Sequence, residues 1–375
     1  MKRINIISLS LILSLMMVLC IFASCGKKEE APQSSAPVSS KVEEPSSSVE
    51  DSSKVPESSE QLEVVPSENT SLTTGITYDT PQTFYPVQVQ IENSSAARPQ
   101  TGLNEADIIY EAPVEGTITR FTVIFNDHHP VVAGPVRSLR MNFLGIQREW
   151  DSILVHYGGP DVKGEEYSIY GKDYDSIQYT CNGVWGGKHT KFFWRSSDRK
   201  APHNAYTSVA FIKETYPDFQ SKKTEFWKHS ETPTGSDKTA TSILVPFLKS
   251  TPGIEFRYNK DTDSYDRYED GKRFETYRNS DKEKRSLEYV SVKNLIIQYV
   301  PMRTAKDSDG HRIIYMTGKG KCDVFIGGKW ITGTWERKED TALTHFYDEN
   351  GKDITLAIGN TWVCVQPDSN KITVK

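Results

Sequence analysis

The chain has 375 residues, a net charge of −5 and five cysteines. It lacks the basic excess of a nucleic-acid binder and the even, dense cysteine pattern of a disulfide-stapled scaffold. Beyond residue 25 only Cys181, Cys322 and Cys364 remain, and roughly 300 residues can form adequate cores without staples; a Cys322–Cys364 bridge stays open.

Residues 1–24 order two cations, a short apolar run and small residues (MKRINIISLSLILSLMMVLCIFAS). This is the pattern of a secretory signal peptide rather than of a membrane span in the mature protein. Cys25 follows Ala23 and Ser24 and resembles the lipobox cysteine of bacterial lipoproteins, with Phe22 in place of the usual Leu. That resemblance implies cleavage before Cys25, diacylation of its thiol and an extracytoplasmic location on the outer face of the cell membrane.

The segment 25–74 reads as a disordered tether of Ser, Glu and Pro, too poor in apolar surface to offset chain entropy. It carries ten acidic residues against four lysines, so the remainder of the chain after the tether is close to neutral. Arginine clusters in it are therefore local features, and no nucleic-acid partner is expected.

The expected fold class is α+β, a mixed α/β N-terminal domain over 75–218 followed by an all-β domain over 241–375. PVQVQIEN alternates apolar and polar residues, with Val87, Val89 and Ile91 on one face; DIIYEAPV, ITRFTVIF and SILVHYGG read as further strands. In GPVRSLR, Pro135 suits a first helical position, and Leu139, Phe143, Ile146 and Trp150 recur on one helical face. That places Arg137 and Arg140 in the first turn, where the helix dipole favours acids. A second helix near 207–216 stops at Pro217, and the polar stretch 219–240 reads as a linker. Beyond it, EDGKR, IGGKW and DENGKD are hairpin turns between runs such as KNLIIQYV, CDVFI and TWVCVQP.

The segments IENSSAARPQTGLNEADIIYEAPVEGTITRF, GPVRSLR, APHNAYTS, GTWERK, FYDENGKDI and GNTWV resemble the YerB-like lipoproteins of Gram-positive bacteria. The resemblance spans most of the chain after the tether. It implies a lipid-anchored surface protein with N-terminal and C-terminal domains of unknown function, and it carries over no activity or catalytic residue.

Chemistry therefore rests on residue types. No CxxC, HExxH, P-loop or GxSxG occurs, so no metal or cofactor is expected. Arg98, Asn104, Arg120, Arg137 and Arg140 are the candidate ligand-binding residues, since guanidinium forks at a helix start suit a carboxylate or phosphate. The same residues read also as an internal ion-pair network with Glu92, Glu105, Asp107, Glu111 and Glu115, in which Arg137 would pair with Glu111 or Asp107. Glu111 and Glu115, with His156 and His203, are candidate acid/base groups for a wall-acting hydrolase or transferase; His156 with Cys181 is a more remote nucleophilic pair. Trp185, Phe192, Phe193 and Trp194 lie in a Gly-rich loop as core or as a stacking surface. The reading is a binding or assembly module, with membrane contact through its anchor and a cell-wall glycan, anionic ligand or protein as partner, and the hydrolase as alternative.

Overall fold

The computed structural model describes residues 68–248, 253–279 and 284–375; the expected signal peptide, Cys25 and the tether up to residue 67 lie outside the described residues. The chain is mostly strand with few helices, broadly α+β. Ten strands form one mixed sheet: β1 (Val87–Glu92), β2 (Ile108–Pro113), β3 (Thr119–Phe125), β4 (Ile153–His156), β5 (Thr180–Asn182), β6 (Asn294–Val300), β7 (Gly318–Ile326), β8 (Lys329–Arg337), β9 (His345–Asp348) and β10 (Thr361–Pro367). Their spatial order is β9-β8-β7-β6-β10-β2-β3-β1-β4-β5.

The expected boundary does not separate two bodies. β10 lies between β6 and β2, in parallel register that sets Trp362 beside Ile109 and Cys364 beside Glu111. Nor is 219–240 a free spacer. Phe219 and Ala240 are buried, Trp227 Nε1 donates to Thr344 O at 2.8 Å, and His229–Ser230 pairs with Leu356–Ala357.

Both faces of the sheet are covered. On one, Val89, Ile91, Phe121, Leu295 and Trp362 meet Ile243, Phe256 and Tyr265 of a second sheet. On the other, Tyr110, Ile124, Ile296 and Val363 meet helix α1 (Met141–Trp150) through Phe143, Leu144, Ile146 and Trp150. Each such fully buried side chain contributes roughly 1.5–3 kcal/mol. Double coverage explains why the polar face of β1 is buried too: Gln88 Nε2 donates to Phe143 O at 2.8 Å and Gln90 Oε1 accepts from Thr122 Oγ1 at 2.9 Å. It also separates the C-terminal cysteines, because Cys322 packs on one face and Cys364 on the other, and both are free thiols.

Helix α2 (Val209–Thr215) forms where expected, capped by Ser208 Oγ accepting from Phe211 N at 3.1 Å. Helix α1 starts later than Pro135. Gly134, at φ +149°, sits where a Cβ would lie 2.8 Å from the Tyr206 ring. Beyond it the backbone is extended: Val136 N donates to Ala205 O at 2.6 Å and Arg137 N to Gln90 O at 2.9 Å. With these N–H groups committed to neighbouring strands, the helix begins only after Arg140, its N-cap residue.

The last part of the expected tether is fixed to the body. Asp127, just past the end of β3, accepts from Ser71 Oγ (2.6 Å), Thr74 Oγ1 (2.6 Å) and Tyr78 OH (3.2 Å). Thr73 Oγ1 donates to the buried Asp107 carboxylate. A polar composition that suits disorder also supplies hydroxyl donors, and two Asp residues on the sheet collect them.

Candidate functional site

The site is built at one edge of the large sheet. β1, β2, β4, β5, β6 and β10 run in the same direction, so their carboxyl ends lie together; β3 runs the other way and begins there. In open sheets with parallel strands this is the edge where ligands bind.

Glu92 ends β1 opposite Arg120 of β3. Its Oε1 accepts from His203 Nδ1 and Ser94 Oγ, both at 2.8 Å, and its Oε2 lies 3.4 Å from Arg137 Nε. Arg140 forks onto Glu115 just past β2, with Nη2 to Oε2 at 2.8 Å. Burial alone would raise the Glu115 carboxyl, but Arg140, with Arg120 behind it, outweighs burial and holds it below the usual value. Glu115 also meets His311 Nε2 at 3.3 Å, and His311 Nδ1 meets Asp307 at 2.5 Å.

Arg120 lies between the two carboxylates, buried, donating through Nη1 to Ser138 O at 2.8 Å while its Nε has no hydrogen-bond partner among the described residues. Burial, and then the guanidinium groups of Arg140 and Arg137, push its pKa down to about 9 against the pull of Glu115 and Glu92. Three guanidinium groups thus face two carboxylates, which leaves an excess of positive charge in a largely dry place. Arg137 is the open member, about a quarter exposed, and among the described residues Glu92 is its carboxylate partner.

The sheet thus brings Arg120, Arg137, Arg140, Glu115 and His203 together, and it separates the other expected residues from them. Arg137 pairs with Glu92 rather than with Glu111 or Asp107. Glu111 is sealed in the core: its carboxylate accepts from Arg267 Nη2 at 2.9 Å, Thr119 Oγ1 at 2.6 Å and Trp362 Nε1 at 3.1 Å. Burial raises its pKa, against the opposing pull of Arg267. With no exposed surface, it cannot reach a substrate as acid or base, and it cannot partner Glu115 in the hydrolase reading. Arg98 belongs to this buried network, bonding Glu269, which in turn holds Arg267 Nη1 at 3.0 Å. Asn104 points to another strand, donating to Tyr289 O at 2.9 Å.

His156 is a buried structural histidine. Its Nδ1 donates to Gly158 O and its Nε2 accepts from Tyr174 OH, both at 2.7 Å, and burial lowers its pKa to about 4. Burial pushes the Cys181 thiol up to about 12, which removes the thiolate that a nucleophile needs. In the Gly-rich loop Phe192 is core, while Trp185 remains partly exposed beside Tyr170 and Tyr174.

The partners that the sequence does not reveal come from the C-terminal half: Arg267, Glu269, Asp307 and His311. Asp307, Asp309 and His311 have ligand-type atoms within 4.8 Å of one another, but Asp307 and His311 already bond each other. Two concavities, of ≈ 250 and ≈ 420 Å³, lie elsewhere and do not include the arginine edge.

Two family descriptions match the chain: "Protein of unknown function (DUF3048) N-terminal domain" over residues 73–223 and "Protein of unknown function (DUF3048) C-terminal domain" over 243–363. A Bacillus subtilis (strain 168) protein named "Putative lipoprotein YerB" is 30% identical over 295 residues, covering 77% of this chain and 83% of that protein. The crystal structure of the YerB protein from Bacillus subtilis superposes with a TM-score of 0.65 at 28% identity, covering 82% of this chain and 99% of that one. The chain belongs to the YerB-like lipoprotein family, built of the two DUF3048 domains.

Proposed function

We propose that this protein is a lipid-anchored, extracytoplasmic binding module, held through Cys25 at the outer face of the cell membrane, whose arginine edge takes a carboxylate or phosphate group of a cell-wall polymer or partner protein. The observation that carries the reading is the charge imbalance of Arg120, Arg137 and Arg140 over Glu92 and Glu115, with an unpartnered Nε on buried Arg120. A bound anion would relieve the mutual repulsion of the guanidinium groups and complete their hydrogen bonding. The signal-like leader, the cysteine after it and the lipoprotein relative support the anchored location.

Titration of the full-length protein with inorganic phosphate and with citrate, followed by thermal melting, tests this reading. A ligand at 100 times its dissociation constant stabilises the folded state by about 2.7 kcal/mol. Wild type should gain stability with one of the two anions at constant ionic strength, and Arg137→Gln should lose most of that gain. An equal response in both proteins, or none in wild type, overturns the proposal.

A further inference from the structure

The outermost strand of the large sheet runs into an exposed aromatic shelf. β5 stops at Asn182, and the loop that follows carries Val184 and Trp185 outward, 56% and 39% exposed. The indole N–H groups of Trp150, Trp227, Trp330, Trp335 and Trp362 each donate to a protein acceptor. That of Trp185 meets none among the described residues and stands at the surface.

Buried polar groups hold this shelf in place. Asn182 has no exposed surface. Its Nδ2 donates to Tyr170 OH at 3.1 Å and Tyr174 OH at 3.2 Å, and its Oδ1 accepts from Gly158 N at 3.0 Å and Val184 N at 3.2 Å. Tyr170 stacks beside Trp185 with ring centres 6.3 Å apart, while Tyr174 and His189 meet the indole edge to face at 5.6 and 5.1 Å. Two open rings are therefore fixed side by side in advance, which lowers the ordering cost of binding. The approach is clear: a Cβ built at Gly171, Gly186 or Gly187 would have nothing within 4 Å.

Charge selects the occupant. In the segments 161–175 and 183–190 that carry the shelf, Asp173 and Glu166 are taken by Arg148 and Arg303. The remaining exposed charges are Lys163, Lys172 and Lys188 against Asp161, Glu165 and Asp175. A balanced rim of this kind gives no pull on an anionic bilayer or a nucleic acid, and it suits an uncharged ring. The apolar C–H face of a pyranose fits an aromatic face, whose π cloud is negative, and a sugar oxygen can accept the Trp185 N–H.

The shelf also continues into the arginine edge. The strand order β1-β4-β5 sets the two places two strand spacings apart, about 10 Å. Arg137 N bonds Gln90 O of β1, and Tyr157 N, just past β4, bonds Arg137 O. Gly183 in turn lies so close to Tyr157 that a Cβ would fall 2.2 Å from its ring.

We infer that Trp185 and Tyr170 stack a neutral sugar ring of the same polymer whose anionic group takes the arginine edge. The identity of the polymer rests on that earlier reading; the stacking does not.

Isothermal titration of the full-length protein with chitotetraose and maltotetraose, both uncharged, reads the shelf apart from the arginines. At least one should bind wild type and shift the Trp185 indole N–H signal in nitrogen-15 spectra. Trp185→Ala should weaken that binding by about tenfold or more, the loss of a stacked ring, with little change in melting temperature because the residue is exposed. Trp185→Phe, which keeps a ring, should retain most of the affinity. Arg137→Gln should bind the sugar as wild type does, and the anion that stabilises wild type should stabilise Trp185→Ala equally, so failure at one place is distinct from failure at the other. The inference is overturned if neither tetrasaccharide binds, if Trp185→Ala binds as tightly as wild type, or if phosphatidylglycerol vesicles shift the Trp185 signal and neither sugar does.

Discussion

Arg267 and Glu111 stand 156 positions apart in sequence and form an ion pair, 2.9 Å between Nη2 and Oε1, in which neither side chain has any exposed surface. The Arg267 guanidinium lies 4.0 Å from the centre of the Phe274 ring and 5.3 Å from that of Trp362, so the pair is walled by aromatics. Removing one partner of a buried pair leaves an uncompensated charge, at a cost of about 3–5 kcal/mol. Arg267→Met should therefore lose that much in urea melts. Adding Glu111→Gln should recover most of it, since Glu269 keeps Arg98. Because this pair and β10 join the halves, wild type should unfold in one transition, and two separate transitions would contradict the shared core.

The two arginines of GPVRSLR should behave unequally. Arg140 holds Glu115 bidentately and both are mostly buried, whereas Arg137 is more open and meets Glu92 at 3.4 Å. Arg140→Gln should cost about 1.5–3 kcal/mol and Arg137→Gln less than about 1 kcal/mol. Thermal melts of the single variants decide the order; a larger loss for Arg137→Gln would contradict these contacts.

Stability should fall on acidification through His156. Its pKa drops from 6.5 to about 4 on folding, because burial disfavours the imidazolium. The unfolded chain therefore takes up the proton first, and the contribution present above pH 6.5 is lost progressively down to pH 4, about 3 kcal/mol in all. His229 adds in the same sense. Asp107, raised by burial and by Asp127, acts oppositely and loses stability as pH rises. His156→Asn should isolate the histidine: the difference between wild type and variant should shrink between pH 7 and pH 4.5, and a constant difference would exclude the linkage.

The strap from residue 68 to 78 should open when Asp127 is removed. Asp127→Ala strands hydroxyls of Ser71, Thr74 and Tyr78, each loss worth about 0.5–1.5 kcal/mol. Chymotrypsin should then cut after Leu72 or Tyr78 at enzyme levels that leave wild type intact, while the circular dichroism of the body is unchanged. Equal cutting of both proteins would mean the strap does not depend on Asp127.

Local patterns were the readable part of this fold. The alternation of Val87, Val89 and Ile91 and the stop at Pro217 depend on near neighbours, so periodicity and turn chemistry reveal them. The apolar face of α1 was equally readable, but its first residue was not, because the N–H groups of Val136 and Arg137 bond carbonyls of Ala205 and Gln90. The arginine edge was half legible: Arg120, Arg137, Arg140, Glu115 and His203 meet, while Glu111 answers to Arg267 and Asn104 to Tyr289. Partner choice among charges is decided by strand order, and no spacing rule carries that information across 156 residues.

β3 has Arg120 near its start and Asp127 just past its end, roughly 20–25 Å apart for seven strand residues. Force applied at residue 68 would enter the body at Asp127 and Asp107, through hydroxyl bonds from Ser71, Thr73, Thr74 and Tyr78, and at Gly359, whose N donates to Thr74 O. The hydroxyl bonds lie off the sheet ladder and would yield one by one, peeling the strap before any strand is loaded. The arginine edge, at the opposite end of the same strand, would keep its geometry while the strap peels.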